Sequence, residues 1–474
     1  MSNRRRKIGL ISLALVALVL RVVVVFVLST DHAAPVTYEH GEIAKNLLEG
    51  RGFSVELLGG EGPTSQQAPF YPFLLATIYS LFGVESSAAI LVVQLLQCLV
   101  GVGLVLAVVW LAWSLLPDRP RVGWVAGIGA ALYPTHLYMV THLQVAIWAA
   151  LVLTVLVAWV AASRGKQSWT RAMVAGILSG LLLLIEPILA LALPICAWFF
   201  WVGESRRFNV GAFGRVATMA GVAALVILPW TIRNCVVHGE FVFVKSSFGY
   251  AFWQGNNPIS HGTDKIPKST AEKLRNDHDG TLAGMDKALW EARHETLYID
   301  RVALTEKDYE TLGAMSEPER CRTLGRRAWS FITEEPASYA RLCWNRLRYF
   351  LLFDETNPKA SNWVYRFSTV VWLVMMFIGG LVCLRRWRQL WPIFAIFAIV
   401  TLFHTLVITS VRFRIPIEPL SFVWATAALG RWVLRRRETP TQELRIFHPG
   451  ERSQDNSEDA HILSGPHYPL RRAG

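Results

Sequence analysis

The residues best suited to chemistry lie in one short stretch, Tyr38-Glu39-His40-Gly41-Glu42-Ile43-Ala44-Lys45-Asn46-Leu47-Leu48-Glu49-Gly50-Arg51-Gly52-Phe53-Ser54. Around it cluster Asp31, Glu39, Glu42, Glu49, Glu56 and Glu61, an acidic island in a mostly apolar chain. A carboxylate within hydrogen-bond reach of a hydroxyl or amine takes up its proton as that group attacks an electrophile. Any acid or base of this protein is expected here. The same carboxylates would also serve as an ordinary solvated surface.

Composition indicates what positions the stretch. Of 474 residues, 53% are hydrophobic and 17% charged, against about 25% charged in soluble domains. Several apolar runs approach the roughly 20 residues that span a bilayer. The 19 Trp and 24 Phe suit interfacial belts and lipid-facing surfaces. The net charge of +12 invites a nucleic-acid reading. Its Arg clusters, however, sit at the ends of apolar runs, where the positive-inside rule puts them, so no nucleic-acid partner is expected. Membrane lipid is expected as a partner. None of the six Cys forms a C-x-x-C pair, and no spacing marks a metal site. Cys321 and Cys343 could form a disulfide or remain helical thiols.

The pattern reads as an all-α polytopic membrane protein with about ten transmembrane helices, both termini cytoplasmic, in an inner or plasma membrane. The N-terminal module is 1–232. Arg4-Arg5-Arg6-Lys7 precedes the apolar run Ile8 to Leu28, interrupted by Arg21, which must be paired, face an outer cavity or snorkel outward. The first outer loop, 30–67, holds the acidic stretch. There Ile43, Leu47 and Leu48 face opposite Glu42, Lys45 and Asn46, the pattern of a surface helix, and Gly50 and Gly52 end it. Residues 70–84 read as a re-entrant or juxtamembrane helix, or as a short span. Further spans are expected at 88–116, 122–139, 143–162, 171–202 (broken at Glu186-Pro187) and 216–232. Residues 233–364, polar and too long for an ordinary loop, read as an α-rich outer insert. The C-terminal helices, 365–437, follow, and a tail at 438–474 reads as disordered.

Glu42-Ile43-Ala44 with Asn46-Leu47, followed by Ala68-Pro69-Phe70-Tyr71-Pro72 opening a helix, resembles the GT-C superfamily of integral-membrane glycosyltransferases. That group includes the protein mannosyltransferases and the lipid A aminoarabinose transferase. The resemblance covers roughly 1–235 and 365–434. It implies transfer of a sugar from a polyprenyl-phosphate donor to an acceptor at the non-cytoplasmic face. It implies no nucleotide donor and no resident cofactor, with a divalent metal left open. Many relatives carry an Asp where this chain has Val36; the nearest acids are Glu39, Glu42 and Asp31, of which Glu39, at the start of the surface helix, comes first. His40 could orient it.

The resemblance also implies a cation beside the leaving phosphate, for which Arg233, Lys245, Arg412 and Arg414 are candidates. Arg412-Phe413-Arg414-Ile415-Pro416-Ile417-Glu418-Pro419 resembles the opening of the last helix in many relatives. Tyr71 joins the substrate-binding candidates. Trp253, Asn256 and Asn257 could stack on and hydrogen-bond a sugar, or simply hold a turn. Glu186, ionisable at a helix break, is a functional candidate or a solvated cap. Gln144 stands where relatives often have an acid. Two other functions fit the same features: a catalytically inactive binder of lipid-linked glycans, and a transporter.

Overall fold

The computed structural model describes residues 3–29, 37–166, 168–202, 210–266, 279–294 and 296–434. The expectations for Asp31, Val36 and the tail at 438–474 lie outside these residues. By its contacts the chain divides into Met1–Val433 and Leu434–Gly474; the helices and the cavity discussed below belong to the first.

The N-terminal module is a bundle of apolar helices. They are α1 (Asn3–Ser29), α2 (Tyr38–Leu48), α3 (Phe70–Phe82), α4 (Ser87–Leu115), α5 (Pro120–Leu132), α6 (Pro134–Met139), α7 (Ala146–Ala162), α8 (Trp169–Ile185), α9 (Leu193–Val202) and α10 (Val210–His238). Among the described residues, Asn3–Leu28, Ser87–Leu115 and Val210–His238 are each long and apolar enough to cross a membrane. The expected span at 122–139 is two helices, because Pro134 cannot donate a backbone N–H and opens a new one. The break at Glu186-Pro187 is a 3-10 turn, Pro187–Ala192, between α8 and α9. The boundary expected at 233 falls inside α10, which runs on to His238.

Small residues let these helices approach. Gly176 and Gly180, one turn apart on α8, face α10 so closely that a Cβ at either would strike Val222 or Val226; this is the small-xxx-small packing of membrane helices. Arg21 is fully buried. Rather than facing an outer cavity or snorkelling, it donates to Ala17 O at 3.0 Å and Ala130 O at 3.5 Å. Its stem fills the gap left by Gly101 on α4, where any Cβ would overlap it.

The segment between α10 and the last apolar helices holds α11 (Phe248–Gly255), α12 (Leu282–His294), α13 (Ile299–Ala303), α14 (Glu306–Gly313), α15 (Glu317–Glu334) and α16 (Pro336–Leu351). It also holds a two-residue antiparallel pair, β1 (Lys265–Ile266) with β2 (Leu297–Tyr298), in the register Lys265 to Tyr298. Residues 241–247, which follow α10, form neither helix nor strand. Cys321 and Cys343 are free thiols. The last helices are α17 (Trp363–Cys383), α18 (Trp387–Leu406), the one-turn α19 (Val411–Arg414) and α20 (Glu418–Leu434). A 3-10 turn at Leu384–Arg386 folds α17 back on α18, so that Trp372 and Phe397 meet with ring centroids 6.3 Å apart.

Candidate active site

A cavity of about 1030 Å³ lies among α1, α2, α6, α12, α19, the Pro187–Ala192 turn and the β1–β2 pair. One part of its wall is apolar, with Val24, Val27 and Leu28 of α1, Val145, Ile188 and Leu189. The rest mixes apolar side chains, among them Leu289, Ile408 and Phe413, with charged and polar ones. Six of the residues singled out in sequence line it: Glu39, His40, Gln144, Glu186, Lys245 and Arg412.

Glu39 sits in the first turn of α2. That helix is seated by buried Ile43 and Ala44, by Asn46 Nδ2 donating to Ser54 O at 2.8 Å, and by His40 packed edge-on against Tyr71 at 5.2 Å. Tyr71 is itself buried and donates to Gln97 Oε1 at 3.0 Å, so it supports α2 from beneath and does not line the cavity. Lys245 is aimed by its neighbours. Val244 is fully buried with its carbonyl held by Trp230 Nε1 at 3.0 Å and Asn234 Nδ2 at 3.2 Å. Ser246 N donates to Ser65 O at 2.9 Å. Arg412 is exposed, its guanidinium 5.2 Å from the Phe413 ring. Among the described residues neither Lys245 nor Arg412 forms an ion pair, and the Glu39 side chain makes no hydrogen bond.

The electrostatics tie these groups together. Burial, and then the charges of Lys245 and Arg412, push the His40 imidazole down to about 3, so it is neutral at ordinary pH. Burial works to raise the Asp264 carboxyl, but Lys265, Arg412 and the hydrogen bond from Lys265 outweigh it and hold it below its usual range. Burial raises the Tyr250 phenol well above its ordinary value, and Asp300, Glu39 and Asp264 add to the effect. Arg412 thus acts on both His40 and Asp264, Lys245 on His40, and Glu39 and Asp264 on Tyr250.

A second polar cluster on the same wall was not singled out in sequence. Lys359 donates to the Tyr138 hydroxyl and to His142 Nε2, the latter at 3.1 Å, and lies 4.1 Å over the Trp290 ring. Tyr138 donates on to Asp286 Oδ1 at 2.8 Å. Asp286 and Trp290, spaced i,i+4 on α12, share a helix face, which was the one readable signal. β1 contributes Lys265, whose ammonium is 2.9 Å from Oδ1 of the preceding Asp264. Among the described residues no three His, Cys, Asp or Glu side chains gather closely enough to hold a metal ion.

The other candidates are framework. Arg233 binds Thr64 O at 2.6 Å and Phe53 O at 3.0 Å, fastening the first outer loop to α10. Trp253 is buried in a core with Leu58, Ile299 and Leu324; the adjacent Gln254 lines the cavity instead. Asn256 donates to Val407 O at 3.0 Å and Asn257 to Trp253 O at 2.9 Å, so both hold the turn after α11 and neither lines the cavity. Arg414 is fully buried, with Nε 2.6 Å from Glu418 Oε1. Glu42 is exposed and accepts the Glu56 N–H at 3.2 Å. Gln144 lines the cavity as an amide.

The fold is similar to that of an archaeal oligosaccharyltransferase. The chain superposes on the oligosaccharyltransferase AglB from Archaeoglobus fulgidus in complex with an inhibitory peptide and a dolichol-phosphate. The TM-score is 0.52 at 15% identity, over 90% of this chain and 50% of that one. The apo form of the A. fulgidus enzyme matches with a TM-score of 0.52 at 16% identity, over 89% and 50%. The chain therefore spans about half the length of that enzyme. ArnT from Cupriavidus metallidurans bound to undecaprenyl phosphate matches over 91% of this chain and 79% of that one, at 15% identity and a TM-score of 0.39. No family model matches the sequence, and no curated protein does.

Proposed function

We propose that the chain is a glycosyltransferase that takes its sugar from a polyprenyl phosphate. The observation that carries this is the wall of the cavity: Lys245 and Arg412, without carboxylate partners among the described residues, line it together with Glu39, and the same wall is apolar along α1. A phosphate with a long isoprenoid tail matches such a site, its head against the two cations and its tail along Val24, Val27 and Leu28. The dolichol-phosphate bound to the AglB of similar fold supports the same ligand class.

In the reaction, an acceptor hydroxyl or amine attacks the anomeric carbon. The bond from that carbon to the phosphate oxygen breaks, and its electron pair leaves with the polyprenyl phosphate. Lys245 and Arg412 stabilise the charge that develops there. The proton released by the acceptor passes to the Glu39 carboxylate. Glu186, at the C-cap of α8 and on the same wall, is placed to hold acceptor or sugar hydroxyls.

The test is transfer of radiolabelled sugar from polyprenyl-phosphate donors by the full chain in nanodiscs, wild type against Glu39→Gln. Transfer by the wild type and its loss in the variant supports the assignment. Equal transfer by both sinks Glu39 as the base. Donor binding without transfer by the wild type would replace the enzyme with a binder of lipid-linked glycans.

A further inference from the structure

We propose that Glu317, which does not itself line the cavity, is a positioning residue for Lys245. Its carboxylate clamps together the two segments that carry Lys245 and Gln66 into the cavity wall. The inference rests on the reading of Lys245 as a phosphate-binding cation and names the group that keeps it in place.

Glu317 is the first residue of α15, so its negative charge sits at the positive end of that helix. Its side chain is only 11% exposed. Three donors converge on it from two segments far apart in the chain. Oε1 accepts the Ser65 N–H at 2.7 Å and the Ser246 hydroxyl, and Oε2 accepts the Thr64 hydroxyl. The two segments are also tied to each other, by Ser246 N donating to Ser65 O at 2.9 Å. A carboxylate suits this place because it accepts at both oxygens, whereas an amide would offer one acceptor and one donor.

Each clamped residue adjoins residues of the cavity wall. Ser246 lies between Lys245 and Ser247, and Ser65 precedes Gln66 and Gln67, all four of which line the cavity. The Thr64 hydroxyl passes the clamp on, accepting the Gln66 N–H at 2.9 Å. On the other side of Lys245, the Val244 carbonyl is held by Trp230 and Asn234 of α10. Lys245 is thus gripped by α10 before it and by α15 after it. Among the described residues its own ammonium makes no hydrogen bond or ion pair, so the backbone on either side is what sets its position. A flexible four-carbon stem brings its charge to one place only when its root is fixed.

The test is a double-mutant cycle on the full chain in nanodiscs, read as the Kd of a fluorescent polyprenyl phosphate. It compares wild type, Lys245→Met, Glu317→Ala and the double variant. Glu317→Ala should weaken binding about five-fold alone and add nothing in the Lys245→Met background, because it acts through that ammonium. Losses that multiply in the double variant would overturn the proposal, since a carboxylate that only holds the fold weakens binding whatever stands at 245. Binding by Glu317→Ala as tight as wild type, with Lys245→Met weakened, would overturn it and leave the phosphate reading standing. Lys245→Met binding as tightly as wild type would remove the phosphate reading and this inference with it. Where Glu317→Ala does not fold, Ser246→Ala, which takes away one of the three bonds, replaces it in the cycle. A smaller loss that vanishes in the Lys245→Met background supports the proposal, and one that persists there, or no loss at all, overturns it.

Discussion

Arg412 and Arg414, two positions apart on the one-turn helix α19, face opposite ways. Arg412 lines the cavity, while Arg414 is fully buried, with Nε 2.6 Å from Glu418 Oε1 and Nη1 2.8 Å from Phe350 O. His136 Nε2 lies 3.1 Å from the other oxygen of Glu418. The buried pair therefore acts as the anchor from which Arg412 is presented, and the two arginines should fail differently. Arg414→Ala leaves a buried carboxylate without its main partner, a loss on the order of 3–5 kcal/mol. It should lower the unfolding midpoint sharply in scans at a fixed rate. Arg412→Ala should leave that midpoint in place and weaken binding of a fluorescent polyprenyl phosphate about ten-fold, roughly 1.4 kcal/mol. Equal melting of wild type and Arg414→Ala would remove the anchor from this account.

Lys245 is aimed by backbone bonds on both sides rather than by a partner for its own ammonium. Lys245→Met keeps the length of the stem and removes the charge. Polyprenyl-phosphate affinity should fall, and so should its sensitivity to salt, because one screened attraction is gone. Titrations at two ionic strengths check both. A variant that binds as tightly as wild type at low salt would take Lys245 out of the phosphate site.

His40 gives a pH signature in stability. Its imidazole is held down at about 3 in the folded chain, by burial first and then by Lys245 and Arg412, against 6.5 ordinarily. Below pH 6.5 the unfolded chain binds a proton that the folded chain refuses, so the folded state loses stability as pH falls from 6.5 toward 3. Above 6.5 the residue contributes no slope. His40→Gln should flatten the fall in melting midpoint across that acid window and leave the alkaline side as it was. An unchanged acid slope would count against a neutral buried imidazole.

These residues also show what the sequence made legible. The helix over 38–48, the break at Glu186-Pro187 and the all-α membrane fold could be read because hydrophobic periodicity and proline act locally. The faces of that helix differ in part from the expected ones: Leu48, expected on the apolar side, is exposed, and Asn46, expected on the polar side, is buried where it donates to Ser54 O. Glu39 could be put ahead of Glu42 by its place at the start of α2, yet nothing local distinguished Arg412 from Arg414. Whether a side chain enters the cavity depends on which carbonyls its neighbours find across the fold. Arg21 is similar. Its burial depends on Gly101, 80 positions away, which clears the space its stem fills. The cluster of Tyr138, His142, Asp286, Trp290 and Lys359 comes from three distant segments, so beyond the i,i+4 spacing of Asp286 and Trp290 no spacing in the chain announces it. Trp253 and Asn256, which resemble sugar-binding residues by type, serve packing and turn closure.

Arg346 supplies the most exposed consequence of this tertiary wiring. Its side chain is fully buried and has no carboxylate among its partners. It spends its donors on Thr405 O at 2.6 Å, Gly255 O at 2.8 Å and Asn256 Oδ1 at 3.0 Å. It therefore joins the end of α11 to the end of α18, and so the segment between α10 and α17 to the last apolar helices. Arg346→Ala strands several buried acceptors at once, each worth about 1–3 kcal/mol when left unsatisfied. Because the bonds are local to one junction, the damage should be local as well. Amide hydrogen exchange should quicken across 248–257 and 405–409, with the α8–α10 pair unchanged. Arg346→Lys offers one compact ammonium in place of a planar fork and should restore only part of the protection. Uniform exchange throughout the chain would mean that Arg346 holds the whole fold rather than this junction.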